Sequence, residues 1–461
     1  MIWRRLGITA AAVLLVLVAA FASASITPQI PRPVEPINVA GRSTVVCPTA
    51  DGQDTYVASG REGGELAAGT LQSDPDQALS LNAVTELDPL DQPRVIAAQG
   101  GQTRGSGASV LAQRGDGPDR GISLSRCAEA GTSQWFVGLG ATDDLRSEIT
   151  LVNPDQTQVS VDLVFHGPNG EIATPGTRGI VVPAQGVREV PVEAHLDTPY
   201  LVAAEIRTQR GRVAATVTHR AGSDSPRGTA IGTSARLPEP VQIVPAIPGG
   251  PGRRTLVITN PSDRRATASI EVQGPNGPFV PVGGEQVAVN AAGTATVDLG
   301  PGLDQQGGGI RIEADQPITA AVVSTSSDDP NRQDIAVQPA TDPLNAVSVA
   351  AVAAAPNAEA VVQITNAGDS EVTVPMRLIL TNGQQAAETA LVIPAHSTRP
   401  WVLPGVPEVG SVIADVPTGA PVHAGVQITT GGSFDGLGTS PLTVPEPVTE
   451  GIEPQPEAGL G

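Results

Sequence analysis

Residues 149–170 read ITLVNPDQTQVSVDLVFHGPNG, and the fold turns on this stretch. Val159, Val161, Leu163 and Phe165 alternate with Ser160, Asp162 and His166, and the run ends on Asn169-Gly170. Period-two alternation closing on Asn-Gly is the pattern of a half-buried strand entering a hairpin. The stretch then recurs, as LVITNPSDRRATASIEVQGPNG at 256–277 and VQITNAGDSEVTVPMRLILTNG at 362–383. Asn153, Asn260 and Asn366 stand 107 and 106 positions apart, and the Asn-Gly turns keep the same offsets. A repeat of that length is a domain rather than a solenoid unit, whose period is about 20–50 residues. Phe165, Val272 and Leu378 are therefore expected at one inward position, and Leu163, Ile270 and Met376 at another.

Further strand-like runs flank this core of the repeat, at Trp135–Leu139, Gly179–Pro183, Val187–Val192, Leu201–Thr208 and Val213–His219. Seven or eight short strands per repeat, parted by Gly and Pro turns, predict tandem antiparallel β-sandwich domains of immunoglobulin-like type, an all-β chain. A β-propeller with two blades per repeat is the alternative. The pattern also extends backwards, since Val95-Ile96-Ala97 matches Val202-Ala203-Ala204 and Val110 matches Val217, again 107 positions on. The expected organisation is a divergent first β-domain at 43–132, then domains at 133–238, 239–344 and 345–440. Proline-bearing linkers around Leu237–Pro240 and Pro339–Pro343 predict an elongated row, because proline removes a donor and fixes φ.

Composition supports packed domains and narrows function. The 461 residues are 40% hydrophobic but only 2% aromatic, so cores must be built from small and branched side chains. A formal charge of −20 argues against nucleic acid and anionic lipid, both of which need basic surfaces.

Arg4 and Arg5 precede an apolar run from Leu6 to Ala22, and Ala22-Ser23-Ala24 offers a small-residue cleavage site. Residues 1–24 are thus expected to be a signal peptide or signal anchor. They place the protein outside the cytoplasm, secreted or held on the cytoplasmic membrane by an uncleaved segment. Residues 25–42, with Pro28, Pro31, Pro33 and Pro36, form a Pro-rich spacer. Residues 441–461 are acidic and Pro-rich, with Glu446, Glu450, Glu453 and Glu457 and no basic residue, and are expected to be disordered.

Cys47 and Cys127 are the only cysteines. In an exported chain they are expected to pair, closing a loop worth about 3–5 kcal/mol to the first domain. The five histidines form no H-x-x-x-H or H-E-x-x-H pair, and nucleophile-elbow, Walker A and dinucleotide motifs are missing. His166 aligns with Gln273 and Ile379, as an outward strand position would. Gly249–Gly252 lacks the strand-then-helix setting of a phosphate cradle. The acidic loops holding Asp116, Asp119, Asp224, Asp328, Asp329 and Asp334 read as solvated turns; Ca²⁺ binding is the alternative. Trp135 and Trp401 read as core or domain-seam residues. No catalytic, cofactor or metal residue is expected.

Cys47-Pro48, the Trp135-Phe136-Val137-Gly138 strand and the repeated Asn-Pro and Asn-Gly units together resemble a family of secreted or membrane-anchored actinobacterial proteins of unknown function. The resemblance implies a cell-envelope setting and carries over no site residue. The expected function is a non-enzymatic envelope protein serving as scaffold, stalk or partner-binding surface. The alternative is a module that binds cell-wall glycan or peptidoglycan. Its partner is expected to be an envelope protein or a cell-wall polysaccharide, with no nucleic acid, and membrane contact only through the N-terminal segment.

Overall fold

The computed structural model describes residues 42–442, apart from 50–52, 61–62, 74, 223–226, 304–305, 345–346, 353–357 and 405–409. The expected signal segment, almost all of the spacer, the tail from residue 443, and Asp224 lie outside the described residues. The rest is antiparallel strand, with one helical turn at Gly300–Leu303 and two 3-10 turns. No described helix is long and apolar enough to cross a membrane.

The second repeat shows the plan. Its first strand, Ser133–Leu139, pairs with Val202–Thr208, which pairs with Val159–Gly167; short outer strands at Gly170–Ile172 and Ile180–Val182 complete that sheet. The facing sheet runs Gly186–Pro191, Leu145–Asn153, Val213–Ala221, Gly228–Gly232. The same pairings recur in the first repeat, the third and the fourth. In the third repeat, one 18-residue strand, Gly308–Thr325, serves both sheets. The second-with-fifth and third-with-sixth pairs of the immunoglobulin sandwich are kept. The two outer strands exchange sheets, however: the first joins the sixth and the seventh joins the second.

Each sandwich buries its own core. Phe165 opposite Ala204, Val272 opposite Ile310 and Leu378 opposite Val412 occupy one register position, and all three are buried. Leu163, Ile270 and Met376 likewise sit opposite Ile206, Ile312 and Ala414. The first repeat is the smallest and is tied by a Cys47–Cys127 disulfide between the end of its first strand and the residue after Gly121–Arg126.

The repeats do not stand in a row. The first sheet of each packs on the second sheet of the next, and the fourth returns to the first. Val46 and Val95 meet Val152 and Ala214 at the first seam. Trp135, Val137 and Ala203 meet Val257 and Ala321 at the second. The third seam is more polar, with Thr398 Oγ1 donating to the Gln273 carbonyl at 2.7 Å and accepting from the Gly309 amide at 2.9 Å. At the fourth, Ile379 and Ile413 meet Ala58 and Val84. The last strands of the repeats, Gly121–Arg126, Gly228–Gly232, Ile335–Pro339 and Gly436–Leu442, touch one another in cyclic order around an axis. The expected elongated row is thereby overturned, because each repeat buries apolar or polar surface against the next and the fourth buries apolar surface against the first, which closes a ring. Two sheets per repeat surround the axis, as in the propeller alternative. Yet the strands of a repeat alternate between its sheets, which is the connectivity of a sandwich and not of a blade.

Ring closure also corrects the outward reading of His166. Ser160, toward the outer end of its strand, is exposed as alternation predicts, but Val164 and His166 are buried because the third repeat covers that face.

Candidate functional site at the ring axis

The repeated asparagine is a structural staple. Asn260, fully buried, donates from Nδ2 to the Arg264 carbonyl at 2.6 Å and the Asn290 carbonyl at 3.1 Å, while its Oδ1 accepts the Ser262 amide at 3.0 Å. One side chain thus ties the turn after its own strand to the segment that enters the outer strand of the same sheet. Asn366 does the same with Ser370, Pro394 and Gly368, so the loss of the following proline leaves the staple intact.

The loops that precede the axial strands meet at one end of the ring. Arg120 of the first repeat donates to the carbonyls of Asn331 at 2.8 Å and Gln333 at 2.9 Å in the third, and lies over the Phe434 ring of the fourth. Arg332 pairs with Asp435 at 2.5 Å, and Asp119 with Arg220 at 2.6 Å. Asp329 accepts the Asn331 amide at 3.0 Å. Arg332 with Asp435 and Asp119 with Arg220 thus form ion pairs across repeats, and Arg120 ties the first repeat to the third. Among the described residues no three His, Cys, Asp or Glu groups could share a metal ion.

Asp334 lies on the axis itself. Its Oδ2 accepts the amides of Ile122 at 2.8 Å and Leu437 at 3.0 Å, and its Oδ1 those of Ile335 at 2.9 Å and Thr229 at 3.3 Å. One carboxylate thus collects one backbone N–H from each of the four repeats. Burial pushes its pKa up to about 7 against the opposing pull of those four donors. Gly121 and Gly228 occupy the equivalent positions in two other repeats, where a Cβ would stand 2.6 Å and 2.5 Å from Asp334 Oδ1. Asp334 was counted among the candidate Ca²⁺ ligands; its oxygens are committed to amides instead. The legible signal was the repeat alignment itself, which sets an aspartate where two sister copies carry glycine.

The remaining polar groups of interest are also built in. His219 bonds Ser147 Oγ at 3.0 Å and His423 bonds Thr341 Oγ1 at 3.0 Å; burial lowers their pKa values to about 4 and about 3. His166 bonds the Ala292 carbonyl at 2.8 Å, its ring 5.2 Å from that of Trp135, and burial lowers its pKa. Trp135 is a seam residue, and Trp401 packs half-buried on the fourth core. The Gly249–Gly252 loop turns carbonyls inward, not amides: Pro248, Gly249 and Pro251 accept from the buried Arg254 guanidinium at 2.7, 2.7 and 3.2 Å. That arrangement suits a cation and excludes a phosphate cradle. Asp143 pairs with Arg146 and Asp144 with Arg227, each carboxylate turned to an arginine.

At the other end of the axis the linkers leave a hollow of about 360 Å³, lined by Arg126 and Glu129 from the first, Gln134 and Arg236 from the second, and Thr341 and Asp342 from the third. Arg236 is held there by Asp342 at 2.7 Å and Glu239 at 2.8 Å.

Likeness to solved structures is slight. A β-glucuronidase of Bacteroides uniformis is 7% identical, with 49% of this chain and 26% of that one covered and a TM-score of 0.12. An α-L-rhamnosidase of Streptomyces avermitilis is 11% identical, with 86% and 54% covered and a TM-score of 0.14. The chain spans about a quarter and about half of those two enzymes, and at such TM-scores the likeness carries no argument. No curated protein matches the chain. The model of DUF5719, a family of unknown function, matches residues 84–360, more than half of the sequence, and the chain belongs to that family.

Proposed function

We propose that the protein is a non-catalytic, extracytoplasmic component of the cell envelope whose ring of β-domains serves as a scaffold for a partner. The observation that carries this reading is the use of its chemistry-bearing residues. The repeated asparagines, Asp334, Arg254, His219 and His423 all spend their polar atoms on holding strands and repeats together. An active site needs such groups free to meet a substrate. The disulfide is compatible with an extracytoplasmic location, and the signal-like N-terminus supports secretion or anchoring in the cytoplasmic membrane. A stalk is no part of the proposal, since the first and fourth repeats touch.

Crosslinking in cells, followed by identification of the captured protein, tests the scaffold reading. One recurrent envelope partner supports it, and a chain that crosslinks to nothing beyond itself overturns it. The hollow at the linker end favours a second reading, binding of cell-wall polysaccharide. Its lining sets Gln134, Arg236, Thr341 and Asp342 beside the apolar Leu237 and Pro343, polar groups next to carbon as a sugar presents them. Retention on purified cell wall, reversed by soluble glycan, would support that alternative.

A further inference from the structure

Successive repeats are joined by chain at three seams, after Arg126, after Gly232 and after Pro339. The fourth repeat and the first share no such link. We propose that this unlinked seam is where the ring opens, and that the Asp334 carboxylate is its latch.

Asp334 belongs to the third repeat, yet Oδ2 takes its two amides from the two sides of that seam, Ile122 of the first repeat and Leu437 of the fourth. A single oxygen straddles the junction. The loop that ends at Asp334 grips the same two sides: Arg120 of the first repeat donates to the carbonyls of Asn331 and Gln333, and Arg332 pairs with Asp435 of the fourth. Behind the latch, Tyr56, Ile122 and Leu124 of the first repeat are buried in one apolar cluster with Val412, Val426 and Leu442 of the fourth. Removing the carboxylate leaves N–H groups from both sides facing one another with no acceptor between them. A buried donor without a partner is costly, and hydration of the seam relieves that cost. The linked seams keep their neighbours at high effective concentration after a local opening, whereas the unlinked seam has only its contacts.

Tyr56 reports on the seam because it is buried within it, while Tyr200 lies half-buried in the second repeat and Trp135 is buried between the second and third. The experiment compares nitration of the two tyrosines by tetranitromethane in the full exported chain and in Asp334→Gly, which sets glycine at the axis as in the sister repeats. Both proteins carry Trp401→Phe so that the emission read is that of Trp135. Nitration of Tyr56 is expected to accelerate about ten-fold or more in the variant, with Tyr200 nitration and Trp135 emission unchanged. Should Asp334→Gly not fold, Asp334→Asn retains one acceptor oxygen and is read in the same way, with a smaller acceleration. Unaltered protection of Tyr56 overturns the proposal. So does a shift of Trp135 emission in step with Tyr56, since that would mean the whole ring had loosened.

Discussion

Asn153 and Asn260, 107 positions apart, make the same staple in two sandwiches. Asn153 Nδ2 reaches the carbonyls of Thr157 at 2.8 Å and Pro183 at 2.9 Å, with the Asp155 amide on Oδ1 at 3.0 Å, matching Asn260 bond for bond. The geometry needs two N–H donors and one acceptor on a single short side chain, and only asparagine supplies that set at that length. Asn260→Ala leaves buried carbonyls unpaired and is expected to destabilise the protein by about 2–4 kcal/mol in urea unfolding. Asn260→Asp presents oxygen to those carbonyls and should cost more. An aspartate variant as stable as the alanine one would refute the donor role.

The Cys47–Cys127 bond spans 80 positions and closes the smallest sandwich. Under the chain-entropy account, a bond of this span contributes about 4 kcal/mol. Reduction should therefore lower the melting temperature of the first repeat ahead of the others, seen as an early transition in calorimetry. The non-reduced, exported protein should present no thiol to a labelling reagent even when denatured. Labelling of both cysteines in that state would show that the bond does not form.

Much of this architecture is legible in the sequence, for a local reason. Alternation, Asn-Gly turns and the 106–107 spacing are set by strand and hairpin chemistry within one repeat, so they gave the sandwich, its register and its inward positions. What lies between repeats left no such pattern. His166 read as outward because alternation records which face is polar, and a polar side chain can be buried once a neighbour supplies a carbonyl, here that of Ala292. Ring closure was hidden for a similar reason. A row and a ring use the same strands. The difference rests on contacts between distant repeats, such as Ala58 and Val84 against Ile379 and Ile413, and on Asp334, a polar residue in a loop that reads as a solvated turn.

Acid and base should weaken the protein through different residues. Asp334 has its pKa raised to about 7 in the folded state, against about 3.9 unfolded. Between those values the folded chain holds a proton that the unfolded chain has lost, so its contribution is lost as pH rises through about 7. His219 and His423 are held neutral, with folded values of about 4 and about 3 against about 6.5 unfolded. Their contribution is lost as pH falls below about 6.5, because the unfolded state then binds the extra protons. Stability measured by urea unfolding should peak between about pH 6 and 7. Asp334→Asn should remove the alkaline decline and leave the acid limb in place; a decline that survives the substitution would assign it elsewhere.

Gly228 and Asp334 should be energetically coupled. Gly228 has a φ of +141° and would place a Cβ 2.5 Å from Asp334 Oδ1 and 2.7 Å from the Ile335 amide nitrogen. Gly228→Ala must push the carboxylate off its four donors or displace the strand that carries it, at a cost of about 1–3 kcal/mol. With Asp334→Gly the first obstacle is gone, although the crowding at Ile335 and the unfavourable φ remain. The penalty of Gly228→Ala should then shrink by more than about 0.5 kcal/mol, the size of coupling expected for residues in contact. The same cycle run with Gly383→Ala, whose Cβ would meet nothing within 4 Å, provides a control in which the two substitutions add. Additivity at Gly228 as well would mean that the axial carboxylate and the glycine facing it are not in contact, and the four-way closure would fall with them.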